Sequence, residues 1–191
     1  DIVSLAGMTK ATVADTICAL AVETPLESLP IDPPTITVTF GINDSPLAGR
    51  EGSKVQSRVI RDRLMKEAES NVAIKVKDTP SGDAFEVAGR GELQMGVLIE
   101  NMRREGFELS ISRPQVLMKE EDGQKLEPIE EVTIDVDDEY TGAVIEKITG
   151  PRKGDLVEMK PSGVGKTRLI AKVPARGLIG YHGEFLTDTR G

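Results

Sequence analysis

The chain has 191 residues, 38% hydrophobic and 29% charged, which suits one large or two small domains of the ordinary globular class. No run approaches about 18 apolar residues, and no basic start leads into an apolar core with a cleavage site, so neither a membrane span nor a signal peptide is supported. The formal charge of −8 weighs against a nucleic-acid partner, but residues 1–34 carry −4 of it, 35–113 none, and 114–127 and 128–191 −2 each, which leaves room for local basic faces. Cys18 stands alone, which excludes an internal disulfide and fits a cytoplasmic chain. Asp1 in place of Met points to a piece of a longer protein.

Residues 1–21 read as short β pieces, DIVSLAG and ATVADTICAL, and are expected to be the last strands of a β-barrel. Pro25, Pro30, Pro33 and Pro34 then form a stiff, extended linker, because proline fixes φ and biases its predecessor away from helix. Residues 35–42, TITVTFGI, alternate β-branched side chains across two faces. After the turn-rich loop NDSPLAGREG, Ser53 is a plausible N-cap for a helix running to about Ser70. Its apolar stripe is Val55, Val59, Ile60, Leu64 and Ala68, and Lys54, Arg58 and Arg61 share another face. A strand over 72–76, the turn TPSGD and a strand over 84–89 make a hairpin.

A second helix is expected over 91–104, with Met95, Leu98, Ile99 and Met102 inward and Gly106 in the left-handed closing position. The strand 107–112 completes a ferredoxin-like βαββαβ order over residues 35–113. Residues 114–127 read as a polar linker. Over 128–191 the order starts again: a strand over 131–137, a short helix over 140–149, and a hairpin of 156–160 with 167–174 around SGVG. A last helix or turn begins near Arg176, and the unit's final strand has not arrived. An Arg-Gly pair, Arg90–Gly91 and Arg176–Gly177, marks the hairpin-to-helix hand-over in both units. The fold class is therefore α+β, with two ferredoxin-like units, the second truncated, preceded by the end of a barrel.

SGVGKT at 162–167 is not a phosphate loop. Lys160 stands where the motif needs its first glycine, and RLIAKVP alternates like a strand instead of opening a helix. One Cys and one His cannot build the usual N/S metal set, and His182 has no recognisable nucleophile or paired carboxylate. An acylphosphatase reading rests on Arg50 and Asn43 at the loop after the first strand, and an RNA-recognition-motif reading on Phe40 and Phe85. The first lacks a compact run of amides and the second a basic-aromatic pattern, so core packing is the better role for both aromatics. Phosphate contact by Lys54, Arg58 and Arg61, by Arg152 and Lys153, and by Lys166, Arg168 and Lys172 stands beside the alternative of a plain solvated face. No catalytic, cofactor-binding or metal-binding residue emerges.

The strings SPLAGREG, GRGEL and LIENMRREGFEL resemble translational GTPases of the BipA/TypA type, and the resemblance covers nearly the whole chain. DIVSLAG with DTIC resembles the close of that family's barrel domain, and 35–113 its third domain. GKTRLIAKVPARGLIGYHGEFLTDTRG resembles its fifth domain, named after the equivalent in elongation factor G. Gln94 departs from the histidine that many relatives carry after GEL. The resemblance implies a parent that binds GTP and Mg²⁺ in an N-terminal domain absent from these residues. It implies docking on the ribosome, contact with ribosomal RNA and protein and with the parent's own GTPase domain, a cytoplasmic location without membrane contact, and roles in large-subunit assembly and stress adaptation. Fragments of LepA-type or ribosomal protection GTPases, and a stand-alone ferredoxin-like module binding a small ligand or RNA, are the alternatives.

Overall fold

The computed structural model describes residues 2–8, 11, 13, 15–28 and 31–191. Among the described residues of the first 34 no strand forms, and nearly all are exposed. The strands expected over 1–21 therefore have no ladder among the described residues. A strand exists only through its ladder partners, and the alternating segments find none among the described residues. Asp1, Thr9, Lys10, Thr12 and Ala14, which that expectation also covered, and Leu29 and Pro30 of the expected linker lie outside them.

The first unit has the expected order: β1 (Ile36–Ile42), α1 (Ser57–Ser70), β2 (Lys75–Asp78), β3 (Ala84–Gly89), α2 (Glu92–Arg104) and β4 (Leu109–Ile111). These strands pair antiparallel, in spatial order β2-β3-β1-β4. The inward residues of β1, Ile36, Val38 and Phe40, pack with Phe85 and Val87 of β3 against Ile60 and Leu64 of α1 and Met95, Leu98 and Met102 of α2. Gly89 lies under the tip of Met95: a Cβ there would stand 2.0 Å from Met95 Cε, so the methionine end would have to shift within the seam between β3 and α2. The helix α1 begins at Ser57, not just after Ser53, and its N-cap position is Gln56. The backbone around Lys54 is taken by a parallel bridge to Phe107, so helical hydrogen bonding cannot start there.

Residues 114–127 are more ordered than a polar linker. They contribute β5 (Gln115–Val116), which pairs with β1, and a small hairpin of β6 (Lys119–Glu121) and β7 (Gln124–Leu126). The second unit comprises β8 (Ile129–Asp137), a 3₁₀ turn over Asp138–Tyr140, α3 (Thr141–Thr149), β9 (Asp155–Gly163), β10 (Lys166–Pro174), α4 (Ala175–Leu178) and α5 (Tyr181–Asp188). Its sheet has the order β8-β10-β9, with β8 at one edge. Ile134, Val136, Leu169, Ala171 and Val173 face Val144 and Ile148 of α3 and Tyr181 of α5. Arg90–Gly91 directly precedes α2, whereas Arg176–Gly177 falls inside the one-turn α4. A hydrogen bond joins the two units close to these hand-over motifs: Gly180 N donates to Glu92 Oε2 at 2.8 Å.

Candidate nucleic-acid interface

The candidate cations divide into those held by the protein itself and those left to solvent. Arg61 makes a two-pronged pair with Asp78 on β2, at 2.7 and 3.0 Å. That pair holds the Asp78 carboxyl below its ordinary range, the Arg61 hydrogen bond being the main cause. Lys54 lies outside the helix, with Nζ 4.7 Å from the centroid of Phe107, so the single helical face expected for Lys54, Arg58 and Arg61 does not form. Arg58 is exposed on the first turn of α1 and makes no ion pair among the described residues.

Arg152 is a tie inside the second unit. Its guanidinium donates to Gly177 O and to Glu184, and lies 4.5 Å from the centroid of the Tyr181 ring. With its side chain only 16% exposed, it holds α5 to the turn that follows α3. Glu184 also accepts from Lys147, and the hydrogen bonds from Lys147 and then Arg152 hold its carboxyl below the usual range. Lys153, next in sequence, has φ +59° and makes no ion pair among the described residues.

On β10 the outward residues alternate as the sequence predicts, but β8 meets them with carboxylates. Arg168 pairs with Asp135 through two contacts of 2.8 Å, and Lys166 Nζ lies 3.4 Å from Asp137. The Arg168 guanidinium and the Ser162 hydroxyl lower the Asp135 carboxyl to about 2. Lys172 stands opposite Glu131 and Asp155 in register, without an ion pair among the described residues. Arg58, Lys153 and Lys172 are therefore the candidates whose charge is least engaged by the fold.

SGVGKT is the tip of the β9–β10 hairpin, with Gly165 at φ +70° and a strand on either side. A phosphate cradle needs a helix opening after the glycines, and β10 follows instead. Phe40 and Phe85 are 0% and 1% exposed, so neither offers a ring for base stacking. His182 is exposed on α5, and no group of three or more metal-ligating side chains occurs among the described residues.

The loop after β1 holds a feature that sequence reasoning missed. Glu108, just before β4, sits inside it: Asn43 Nδ2 donates to Oε1 at 2.6 Å, and the amides of Gly49 and Gly52 donate to Oε2 at 2.8 and 3.3 Å. Burial pushes this carboxyl up, but the converging donors outweigh it and hold it below the ordinary range. The loop thus gathers amides around an anion where an acylphosphatase would hold phosphate, and the chain supplies that anion itself. A carboxylate 65 residues from Asn43 leaves no local signal in the sequence.

Both the sequence and the fold have counterparts among known proteins. Residues 124–191 match the family model described as Elongation factor G C-terminus. A protein of Thermus thermophilus known from its crystal structure superposes over 92% of this chain and 41% of its own, with a TM-score of 0.51 at 13% identity, which shows the fold alone. The chain thus has an α+β architecture, and its residues 124–191 are similar to the C-terminal part of elongation factor G. More particularly, it is similar from end to end to a known protein: it is 50% identical over all 191 residues to the large ribosomal subunit assembly factor BipA of Haemophilus influenzae, Bacillus subtilis and Escherichia coli K12. It spans about a third of the length of these relatives, 31% in each case.

Proposed function

We propose that these residues form a non-catalytic ribosome-docking and conformational-relay segment of a BipA-type translational GTPase acting in large-subunit assembly. The observation that carries this reading is the 50% identity over every residue to proteins named as large ribosomal subunit assembly factors. Two packed α+β units joined by a short connection, with a hydrogen bond close to their hand-over motifs, suit a part that transmits movement between a GTPase domain and the ribosome. GTP and Mg²⁺ belong, on this reading, to the GTPase domain of the parent, which works in the cytoplasm and takes part in stress adaptation. No helix among the described residues is long and apolar enough to cross a membrane.

Docking rests on cations acting on phosphates as point charges, so it weakens steeply with salt and shows little base preference. Co-sedimentation of the chain with purified bacterial ribosomal subunits across a salt series tests this. Salt-sensitive pelleting is expected, weakened by charge reversal at Arg58, Lys153 and Lys172. Reversal at Arg152 instead damages the fold that presents them. A chain that stays in the supernatant at every salt concentration sinks the reading.

A further inference from the structure

The loop over residues 43–52 is held far more firmly than a surface connection requires. Asn43 Oδ1 accepts from Ser45 N at 3.0 Å, Ser45 O from Ala48 N at 3.0 Å, and Ser45 Oγ from Leu47 N at 3.3 Å. Gly49 turns the chain at φ +83°, in the left-handed region that favours glycine. Gly52 lets it pass so close to the neighbouring backbone that a Cβ would stand 2.7 Å from Gly106 O. Lys54 N then donates to Gly106 O at 3.0 Å, and Glu108 N to Lys54 O at 3.3 Å. The Glu108 carboxylate closes the structure from within. None of this buries apolar surface: residues 44–51 are all exposed, Leu47 at 56%. A rigid, exposed loop on a packed scaffold is the usual setting for contact residues.

Arg50 stands on this loop, exposed and without an ion pair among the described residues. It is followed at four-residue intervals by Lys54 and Arg58, neither of which makes a close ion pair among the described residues. We propose that Arg50 contacts the phosphodiester backbone of RNA and that Glu108 is its positioning residue, fixing the loop from which the guanidinium projects. The planar fork of arginine binds phosphate through paired donors and stays charged at every working pH. Glu108 touches no RNA in this arrangement; its carboxylate is turned inward onto Asn43, Gly49 and Gly52. The proposal rests on the ribosome-docking reading and adds a contact residue and its support.

The test measures binding of the chain to purified ribosomal subunits, and separately to protein-free large-subunit ribosomal RNA, over a salt series. Arg50→Ala is expected to weaken binding to both by about tenfold, the size of one charged hydrogen-bonded contact. It should also flatten the slope of log affinity against log salt by about 0.7–0.9, the signature of one lost phosphate contact. Arg50→Lys should keep the slope and recover part of the affinity. Glu108→Ala should lose as much as Arg50→Ala, and the double variant no more than either, because both act through one guanidinium. Should Glu108→Ala fail to fold, the two Arg50 variants still decide the contact and Asn43→Ala takes its place as the probe of loop support. An Arg50→Ala chain with unchanged affinity and slope overturns the proposal. So does a loss seen with intact subunits but not with bare RNA, which assigns the loop to a ribosomal protein. A wild-type chain that binds neither target instead removes the docking reading itself.

Discussion

At the scale of single residues, a charge that looks free in sequence is often spoken for in the fold. Arg61 finds Asp78, Arg168 finds Asp135 and Arg152 finds Glu184, partners 17, 33 and 32 residues away. These pairs tie acid stability to the second sheet. The Asp135 carboxyl is lowered in the folded chain from its ordinary 3.8 to about 2. Its stabilising contribution is thus complete above pH 4 and disappears as the pH falls toward 2. Glu184, also lowered, acts in the same direction. The urea midpoint of the second unit is expected to drop between pH 4 and pH 2, and Asp135→Asn to shrink that drop. An unchanged acid limb in the variant would place the sensitivity elsewhere. Arg152→Met should lower the melting temperature of this unit by several degrees, since Gly177 O and the Tyr181 ring lose this partner and Glu184 keeps only Lys147. Thermal scans of the variant beside Lys153→Ala, expected to be neutral, separate a tie from a surface charge.

Among the elements, those with a sequence-local cause were legible and those decided by contact were not. The helix α2 and strand β3 follow from periodicity and from the Gly-Arg-Gly entry, and both lie within two residues of their expected ends. The start of α1 is hidden from the sequence because Ser53 has N-cap chemistry, while Gly106 and Glu108 claim the backbone of Lys54 from more than fifty residues away. The β6–β7 hairpin had a readable signal. Asp122–Gly123 takes φ values of +50° and +74°, the two-residue turn that such a pair favours, and its high charge disguised it as a linker. Residues 1–21 show the same rule from the other side, since alternation without a ladder partner makes no strand among the described residues. Of the candidate interface, residue types and alternation on β10 could be read, but not the carboxylates of β8 set against them. Gly52→Ala tests the close approach that determines where α1 begins. Its Cβ would meet the backbone oxygen Gly106 O, which cannot swing aside as a side-chain tip can, so a loss of about 1–3 kcal/mol is expected in denaturant unfolding. A loss below about 0.5 kcal/mol would show that the loop yields.

For the molecule as a whole, two cores and little between them define what it does alone. The lysine-bearing glycine turn lies between two strands, so calorimetry with GTP and Mg²⁺ should give no saturable heat; micromolar binding that depends on Gly165 and Lys166 would reverse that view. The two units should also open separately. The first has a larger core, built on Phe40, Phe85, Phe107 and three buried residues of α2, and its central β1 is flanked by β3 on one side and by β4 and β5 on the other. The second has a smaller core, and β8 pairs only with β10 along its nine residues, leaving one row of backbone groups to solvent. An amide with no ladder partner exchanges with water without waiting for the sheet to open, and even the bonded ones open with a smaller cooperative unit. Hydrogen exchange at neutral pH should therefore show amides of residues 132–136 exchanging faster than those of 36–40. At rising denaturant the second unit should lose protection first. Thr133, Asp135 and Asp137 on the outer face discourage stacking but not edge pairing, so the measurement belongs in dilute solution, where β8 cannot borrow a strand from a second copy. Equal protection of the two stretches in a monomer would show that the open edge of β8 costs the second unit nothing.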